Sequence, residues 1–356
     1  MRDAIVYSGS GWESCNVMER LSIALTKLGA KVLYCDNPVS RLKGKPPEMH
    51  EVEPGIFRFR PTIFGHRLNE IPALAAGQSR MVSKQIVRAA EKLHLRKPMF
   101  FYPYTGRLLP LCSEMKRRGY FLVYTCMDFP QIELKGHVSV ADLTLMIQRA
   151  ALDPVRAIAG DRAVLIPQFG PPQNNGVGGG LPVGEPAVLQ KIPHPRLIYA
   201  GALQNRVTLP VVRAILETRP QWQFLHFGSP DDLSLPNSHA LPWMNREELM
   251  RAIQACEVGF MPYDRSDPVQ NNCVPLKLLD YFGMGMPVVS TPIVSMLEMK
   301  NEVYVGGTVS ELTEAIECAL SESAESPKRA RRMEIAREHS LDNVATLLGK
   351  ILPLNC

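Results

Sequence analysis

NNCVPLKLLDYFGMGMPVVSTP, residues 271–292, is the stretch on which the fold turns. Pro275 sits in a first helical turn, where its missing N–H is not needed. Leu278, Leu279 and Phe282 recur at the spacing of one buried helical face. Gly283 and Gly285 bring the helix end close to the next element. Pro287 then stops the helix, and PVVST (287–291) reads as a buried strand. The loop ahead of the helix presents backbone N–H groups and the positive end of the helix dipole. At an exposed end that favours an anion by roughly 0.3–1 kcal/mol. Lys277 adds a full positive charge suited to a diphosphate. A plain surface helix with an incidental lysine has the same pattern, so both readings stay open on physics alone.

Outward from this stretch, strands and helices alternate. RLIYAGAL (196–203), WQFLHFG (222–228), VGFMPY (258–263) and VYVGG (303–307) read as strands. Helices are expected over 208–218, 246–255, 275–284, 309–321 and 340–351. In the first half the strands are AIVY (4–7), KVLYCD (31–36), FRFRP (57–61), MFFYPY (99–104) and FLVYTCMD (121–128). Helices are expected over 16–28, ended by Gly29, and over 79–95. Each half is then an α/β, Rossmann-like, doubly wound parallel sheet with right-handed crossovers. A cleft is expected between the strand ends of the two sheets. A Gly/Pro-rich linker over 171–190 separates residues 1–170 from 191–335, and 336–356 forms a C-terminal segment.

The 356 residues suit two domains, and 46% apolar with 21% charged residues suits a soluble globular core. No apolar run approaches membrane-spanning length, and MRDAIVYSGSG lacks a signal-peptide pattern, so a cytoplasmic protein is expected. The eight cysteines contain no C-x-x-C pair, which argues against a zinc site or a disulfide frame. No HExxH or Asp-x-Asp motif points to a bound metal. Residues 1–170 carry 24 Lys and Arg against 15 Asp and Glu, a net of +9; residues 171–356 carry 16 against 20, a net of −4. The first half is therefore expected to face something anionic. Arg80, Lys84, Arg88 and Lys92 line the helix at 79–95, with Arg41, Lys43, Lys45, Arg58, Arg60 and Arg67 nearby. Such a face suits anionic lipid headgroups or is simply solvated. No nucleic-acid motif accompanies it.

The string PLKLLDYFGMGMPVVST resembles the donor-binding segment of GT-B glycosyltransferases of the group 1, family-four type, in which P-x-K-L-x-E-Y-x-x-x-G-x-P-V-V recurs. The segments at 196–228 and 244–263 resemble the units ahead of it, and AREHSLDNVATLL resembles the C-terminal helix that packs back on the first domain. The resemblance covers most of 196–350 and, more weakly, 1–130. It implies that 191–335 binds a nucleotide sugar, with a UDP-sugar favoured and no metal or other cofactor, and that 1–170 binds the acceptor. Lys277 would then contact the donor diphosphate and Asp280 the nucleotide ribose. Asn272 stands where many retaining members carry a Glu that contacts the sugar, a departure that leaves the stereochemical outcome open. Gly201 would let the backbone approach the donor, Arg206 would be a second diphosphate cation, and Tyr263 would stack or hydrogen-bond at the nucleotide. Arg206 as a solvated loop residue and Tyr263 as a core-edge residue are the plain alternatives.

LVYTCMDFPQI resembles the segment holding the catalytic aspartate of xanthan glucuronosyltransferases, inverting GT-B enzymes. Asp128 would then be the base that takes the acceptor hydroxyl's proton; a turn or N-cap aspartate is the plain alternative. Gly9, Gly11, Trp12 and Glu13 in SGSGWES would line the acceptor side, with Trp12 stacking on a sugar and Glu13 accepting its hydroxyl hydrogen bonds. The same loop followed by Asp36 partly matches a dinucleotide fingerprint, so an NAD- or FAD-dependent oxidoreductase is one alternative. A GT-B-fold nucleotide-sugar epimerase and a non-catalytic sugar-nucleotide binder are others. The leading expectation is a glycosyltransferase that moves a sugar to a hydroxyl of a glycan or lipid-linked acceptor in polysaccharide synthesis, acting in the cytoplasm or at the inner membrane face.

Overall fold

The structure, a computed structural model, describes residues 2–353 other than 10, 13–15, 41–47, 66–70, 105–107, 130–132, 171–183, 204–206 and 229–232. It divides into two compact units, Met1–Phe169 with Leu341–Cys356, and Gly170–Ser340. Most of the expected linker, 171–183, lies outside the described residues.

The first unit contains β1 (Ala4–Tyr7), α1 (Val17–Lys27), β2 (Val32–Cys35), β3 (Val39–Ser40), β4 (Glu48–Glu53), β5 (Ile56–Arg60), β6 (Thr62–Ile63) and α2 (Pro72–Lys92). It continues with β7 (Met99–Pro103), α3 (Leu109–Arg117), β8 (Leu122–Cys126), α4 (Leu134–Val140), β9 (Leu143–Met146), α5 (Leu152–Ala159) and β10 (Ala163–Leu165). Its main sheet runs β10-β9-β8-β7-β1-β2-β5-β4. Every pairing is parallel except that of edge strand β4 with β5. Short apolar runs make this possible because both faces are covered. In β1, Ile5 and Tyr7 join one core layer while Ala4 and Val6 join the other, as a period of two requires. Each fully buried large apolar side chain contributes about 1.5–3 kcal/mol.

Two differences from the sequence reading have local causes. Helix α2 begins at Pro72, well ahead of residue 79, because proline at the first helical position costs no hydrogen bond. Strand β4, EMHEVE, is exposed or half-buried throughout and carries no apolar run to announce it.

The second unit contains β11 (Arg196–Tyr199), α6 (Leu209–Thr218), β12 (Gln223–Phe227), β13 (Ser238–Leu241), α7 (Arg246–Gln254) and β14 (Val258–Met261). Then come α8 (Pro268–Asn271), α9 (Leu276–Gly283), β15 (Val288–Ser290), α10 (Val294–Glu298), β16 (Tyr304–Val305), α11 (Val309–Leu320) and α12 (Pro327–Glu338). Its sheet is wholly parallel in the order β13-β12-β11-β14-β15-β16. The order reverses between β11 and β14, which opens a crevice at their carboxyl ends. Arg332 of α12, fully buried, pairs with Glu322 and also donates to the carbonyls of Gly285 (3.0 Å) and Glu302 (3.1 Å). It thereby ties α12 to the turn between α9 and β15. The chain ends in α13 (Leu341–Ile351), which returns to the first unit. There Leu341, Val344, Ala345 and Leu348 complete the layer under α1, and Lys27 meets Asp342 at 2.6 Å.

His137 of α4 is fully buried among Tyr102, Tyr104 and Tyr124, with its ring stacked on Tyr124 at 5.3 Å. Burial lowers its pKa from 6.5 to about 4. Between those values the unfolded chain binds the extra proton, so stability falls as pH drops from 6.5 toward about 4. Chemical denaturation across that window should show the loss, and His137→Phe should flatten it; an unchanged slope in the variant would contradict the assignment.

Candidate functional site

The crevice in the second unit is built by α9. Tyr281, fully buried in that helix, sends its hydroxyl across to the end of β11. The hydroxyl donates to the Ile198 carbonyl at 3.0 Å and accepts from the Ala200 N–H at 2.7 Å. Burial pushes the phenol pKa well up, which keeps the proton that this bond needs. The ring lies on Gly259 of β14, where a Cβ would stand 2.6 Å from it. Helix α9 is thus locked over β11 and β14 at the point of strand reversal.

One turn earlier on the same helix, Lys277 reaches that point. Its Nζ lies 3.4 Å from the Tyr199 ring centroid and 5.8 Å from that of Tyr263, and the two rings meet edge to face. A Cβ on Gly201 would stand 2.8 Å from the same Nζ. Glycine there leaves the ammonium its place, and the tyrosine faces hold it by cation–π attraction of about 0.5–2 kcal/mol. No carboxylate among the described residues pairs with it. The amino end of α9 has Pro275 as its cap residue and no side-chain cap; the Leu278 N–H turns back to the Pro275 carbonyl at 3.1 Å, while no side chain caps the Leu276 and Lys277 N–H groups. An aromatic-backed ammonium beside such N–H groups has the chemistry that suits an anion.

The other donor-side expectations fall as follows. Tyr263 is buried behind Lys277, and its carbonyl accepts from Thr291 Oγ1 at 2.9 Å. Asp280, expected at the ribose, instead holds Arg246 in a two-pronged ion pair at 2.8 and 2.6 Å and is 4% exposed. Its carboxylate joins α7 to α9. Asn272 caps the four-residue α8, its Nδ2 donating to the Pro268 carbonyl at 2.8 Å. Arg206 lies outside the described residues. The sequence reading missed Trp243, which is 71% exposed and packs its indole over Gly228 at the end of β12. Gly228 has φ 76°, and a Cβ there would come within 2.6 Å of the ring. The available signal was a tryptophan in the short loop at 242–244, directly ahead of the Asn245–Glu248 capping box. Phe227, beside Gly228, donates its N–H to the Gly201 carbonyl at 3.0 Å, which sets Trp243 along the same sheet edge as Lys277.

In the first unit, Asp128 is exposed at a bend just after β8, and its carbonyl receives Cys126 Sγ at 3.7 Å. Gly9 has φ 75° and its carbonyl accepts from Asn37 Nδ2. Trp12 meets Tyr34 edge to face, with ring centroids 4.9 Å apart at 87°. Gly11 leaves room for Arg58, whose Nη2 would lie 3.4 Å from a Cβ. Asp36 is buried and held by Arg58 (2.8 Å) and Arg60 (3.2 Å), so these arginines are not part of an open basic face. That pairing also removes Asp36 as the ribose acid of a dinucleotide site. Glu13, Arg41, Lys43, Lys45 and Arg67 lie outside the described residues.

Residues 194–322 match the family model described as Glycosyl transferases group 1. Over 153 residues the chain is 26% identical to the putative teichuronic acid biosynthesis glycosyltransferase TuaH of Bacillus subtilis (strain 168). That match takes in 39% of this chain and 38% of the relative's length. Among solved structures, α,α-trehalose 6-phosphate synthase from Burkholderia multivorans aligns over 99% of this chain and 98% of its own, with TM-score 0.70 and 13% identity. Sucrose-phosphate synthase from Thermosynechococcus elongatus aligns over 99% and 98%, with TM-score 0.70 and 14% identity. An E. coli trehalose-6-phosphate structure bound with UDP-2-fluoro glucose aligns over 98% of each chain, with TM-score 0.69 and 14% identity. The fold is that of the GT-B glycosyltransferase structures with which the chain aligns, and the match to the group 1 model lies within the second unit.

Tyr281→Phe should strand the Ala200 N–H and cost about 1–3 kcal/mol of stability. Urea unfolding would measure it, and a loss below about 0.5 kcal/mol would deny the phenol this role.

Proposed function

We propose that the protein is a glycosyltransferase that uses a nucleotide-diphosphate sugar, a UDP-sugar above others, and a hydroxyl of a glycan or lipid-linked glycan as acceptor. The observation that carries this reading is Lys277, held on the Tyr199 ring beside Gly201 at the strand reversal, with no described acidic partner. A lysine there offers the diphosphate a charge that no internal ion pair has already neutralised. The amino end of α9 adds N–H donors. As the bond from the anomeric carbon to the diphosphate oxygen breaks, negative charge grows on the leaving group, and Lys277 opposes that growth. The acceptor oxygen forms the new bond and gives up its proton to a carboxylate, a role given to Asp128. Trp243 supplies an exposed aromatic face for the base. Since Asp280 already binds Arg246, the ribose is assigned to other groups.

The group 1 match and the name of the Bacillus relative support the glycosyl-transfer class and a cell-surface polysaccharide setting. The pairing of buried Asp36 with half-buried Arg58 and Arg60 speaks against the dinucleotide alternative. A metal is not needed at the diphosphate in this reading, because lysine and helix end supply the positive charge. The setting is cytoplasmic.

Lys277→Ala should weaken UDP binding by about 10–100-fold, the cost of one charge-assisted contact. Asp128→Asn should keep that affinity while lowering turnover by about 10²-fold or more. Calorimetry with UDP and a transfer assay with UDP-sugars separate the two; unchanged affinity in the first or an unchanged rate in the second removes the assigned role. Treatment with EDTA should leave the wild-type rate intact, and a rate restored only by added Mg²⁺ or Mn²⁺ would refute the metal-free reading.

A further inference from the structure

We propose that the amino end of α2, with Phe64 beside it, is a docking surface for an anionic lipid bilayer. Three of the exposed large apolar residues fall within one short stretch: Phe64 (55% exposed), Ile71 (51%) and Leu74 (44%). Gln78 hydrogen-bonds both ways with the Gly65 backbone, at 3.3 and 3.1 Å, and so pins the Phe64 segment beside the first turns of the helix. Further along α2, Arg80, Lys84, Arg88 and Lys92 are exposed at intervals of four, which places them on one stripe. None forms an ion pair with a described residue. The opposite side of the helix, Val82, Ile86, Ala89 and Ala90, is buried in the first unit's core, so the stripe is fixed outward. No helix among the described residues is long and apolar enough to cross a membrane.

An apolar tip next to a basic stripe matches a bilayer on both counts: the acyl boundary takes the tip, and anionic headgroups take the stripe. A nucleic acid would match the stripe and leave three large apolar side chains in water. The proposal stands apart from the glycosyl-transfer reading, since it concerns adhesion and not turnover.

Flotation of the full chain with phosphatidylcholine vesicles, with and without phosphatidylglycerol, tests it. Binding is expected only with phosphatidylglycerol present. The Lys84→Gln/Arg88→Gln variant should partition roughly thirtyfold more weakly, from about two lost charge contacts. The Ile71→Ser/Leu74→Ser variant should still bind at low salt and release at moderate salt, where the wild type holds. Circular dichroism and the melting midpoint confirm that the variants fold. Absent binding to both vesicle types, equal binding to both, or variants that bind as the wild type does would each overturn the proposal. So would concentration-dependent dimers that the apolar variant abolishes while vesicles go unbound, since the surface would then serve a second copy.

Discussion

The candidate site depends on a single phenol. Tyr281 reaches from α9 to the last peptide of β11, and Gly259 makes the path by having no side chain. Where β11 ends, its backbone groups lose their strand partners, and a half-buried N–H must find an acceptor or carry a desolvation cost. The tyrosine meets that need and in the same act fixes the rotation of the helix. Every other feature of the crevice inherits its position from this contact: Lys277 lies one turn back, Gly201 follows the capped peptide, and Tyr199 provides the ring beneath the ammonium.

Two charges on the same helix, three positions apart, have opposite fates. Asp280 faces inward and is consumed by Arg246, a pair that fastens α7 to α9. Such a buried pair is strong evidence of construction and weak evidence of net stability, since desolvating both partners offsets much of their attraction. Lys277 faces the sheet edge and rests on π-faces. An aromatic seat orients a cation without neutralising it, which keeps its field available to a phosphate. One turn of helix thus carries a charge used in construction and a charge left to serve the candidate site.

Much of this was legible in the residues. The apolar runs at 4–7, 196–199 and 258–261, separated by helical periods, gave the doubly wound sheets, and Pro275, Gly283 and Pro287 punctuated α9 correctly. Lys277, Gly201 and Tyr263 do gather at one place. What escaped the reading shares one physical cause: the deciding partner is distant in the chain. Asp280 looks like a ligand-binding acid until Arg246, 34 positions away, is seen to hold it. Arg58 and Arg60 look like an open basic face until Asp36 is found between them. Periodicity reports which side of an element is buried; it says little about which polar group meets which.

The account is tested most directly by a crystal structure of the protein grown with UDP. It predicts a phosphate oxygen within about 3 Å of Lys277 Nζ, hydrogen-bonding distance, at the amino end of α9. A well-ordered UDP bound elsewhere, with the ammonium still seated on Tyr199 and no phosphate near it, would contradict the central claim.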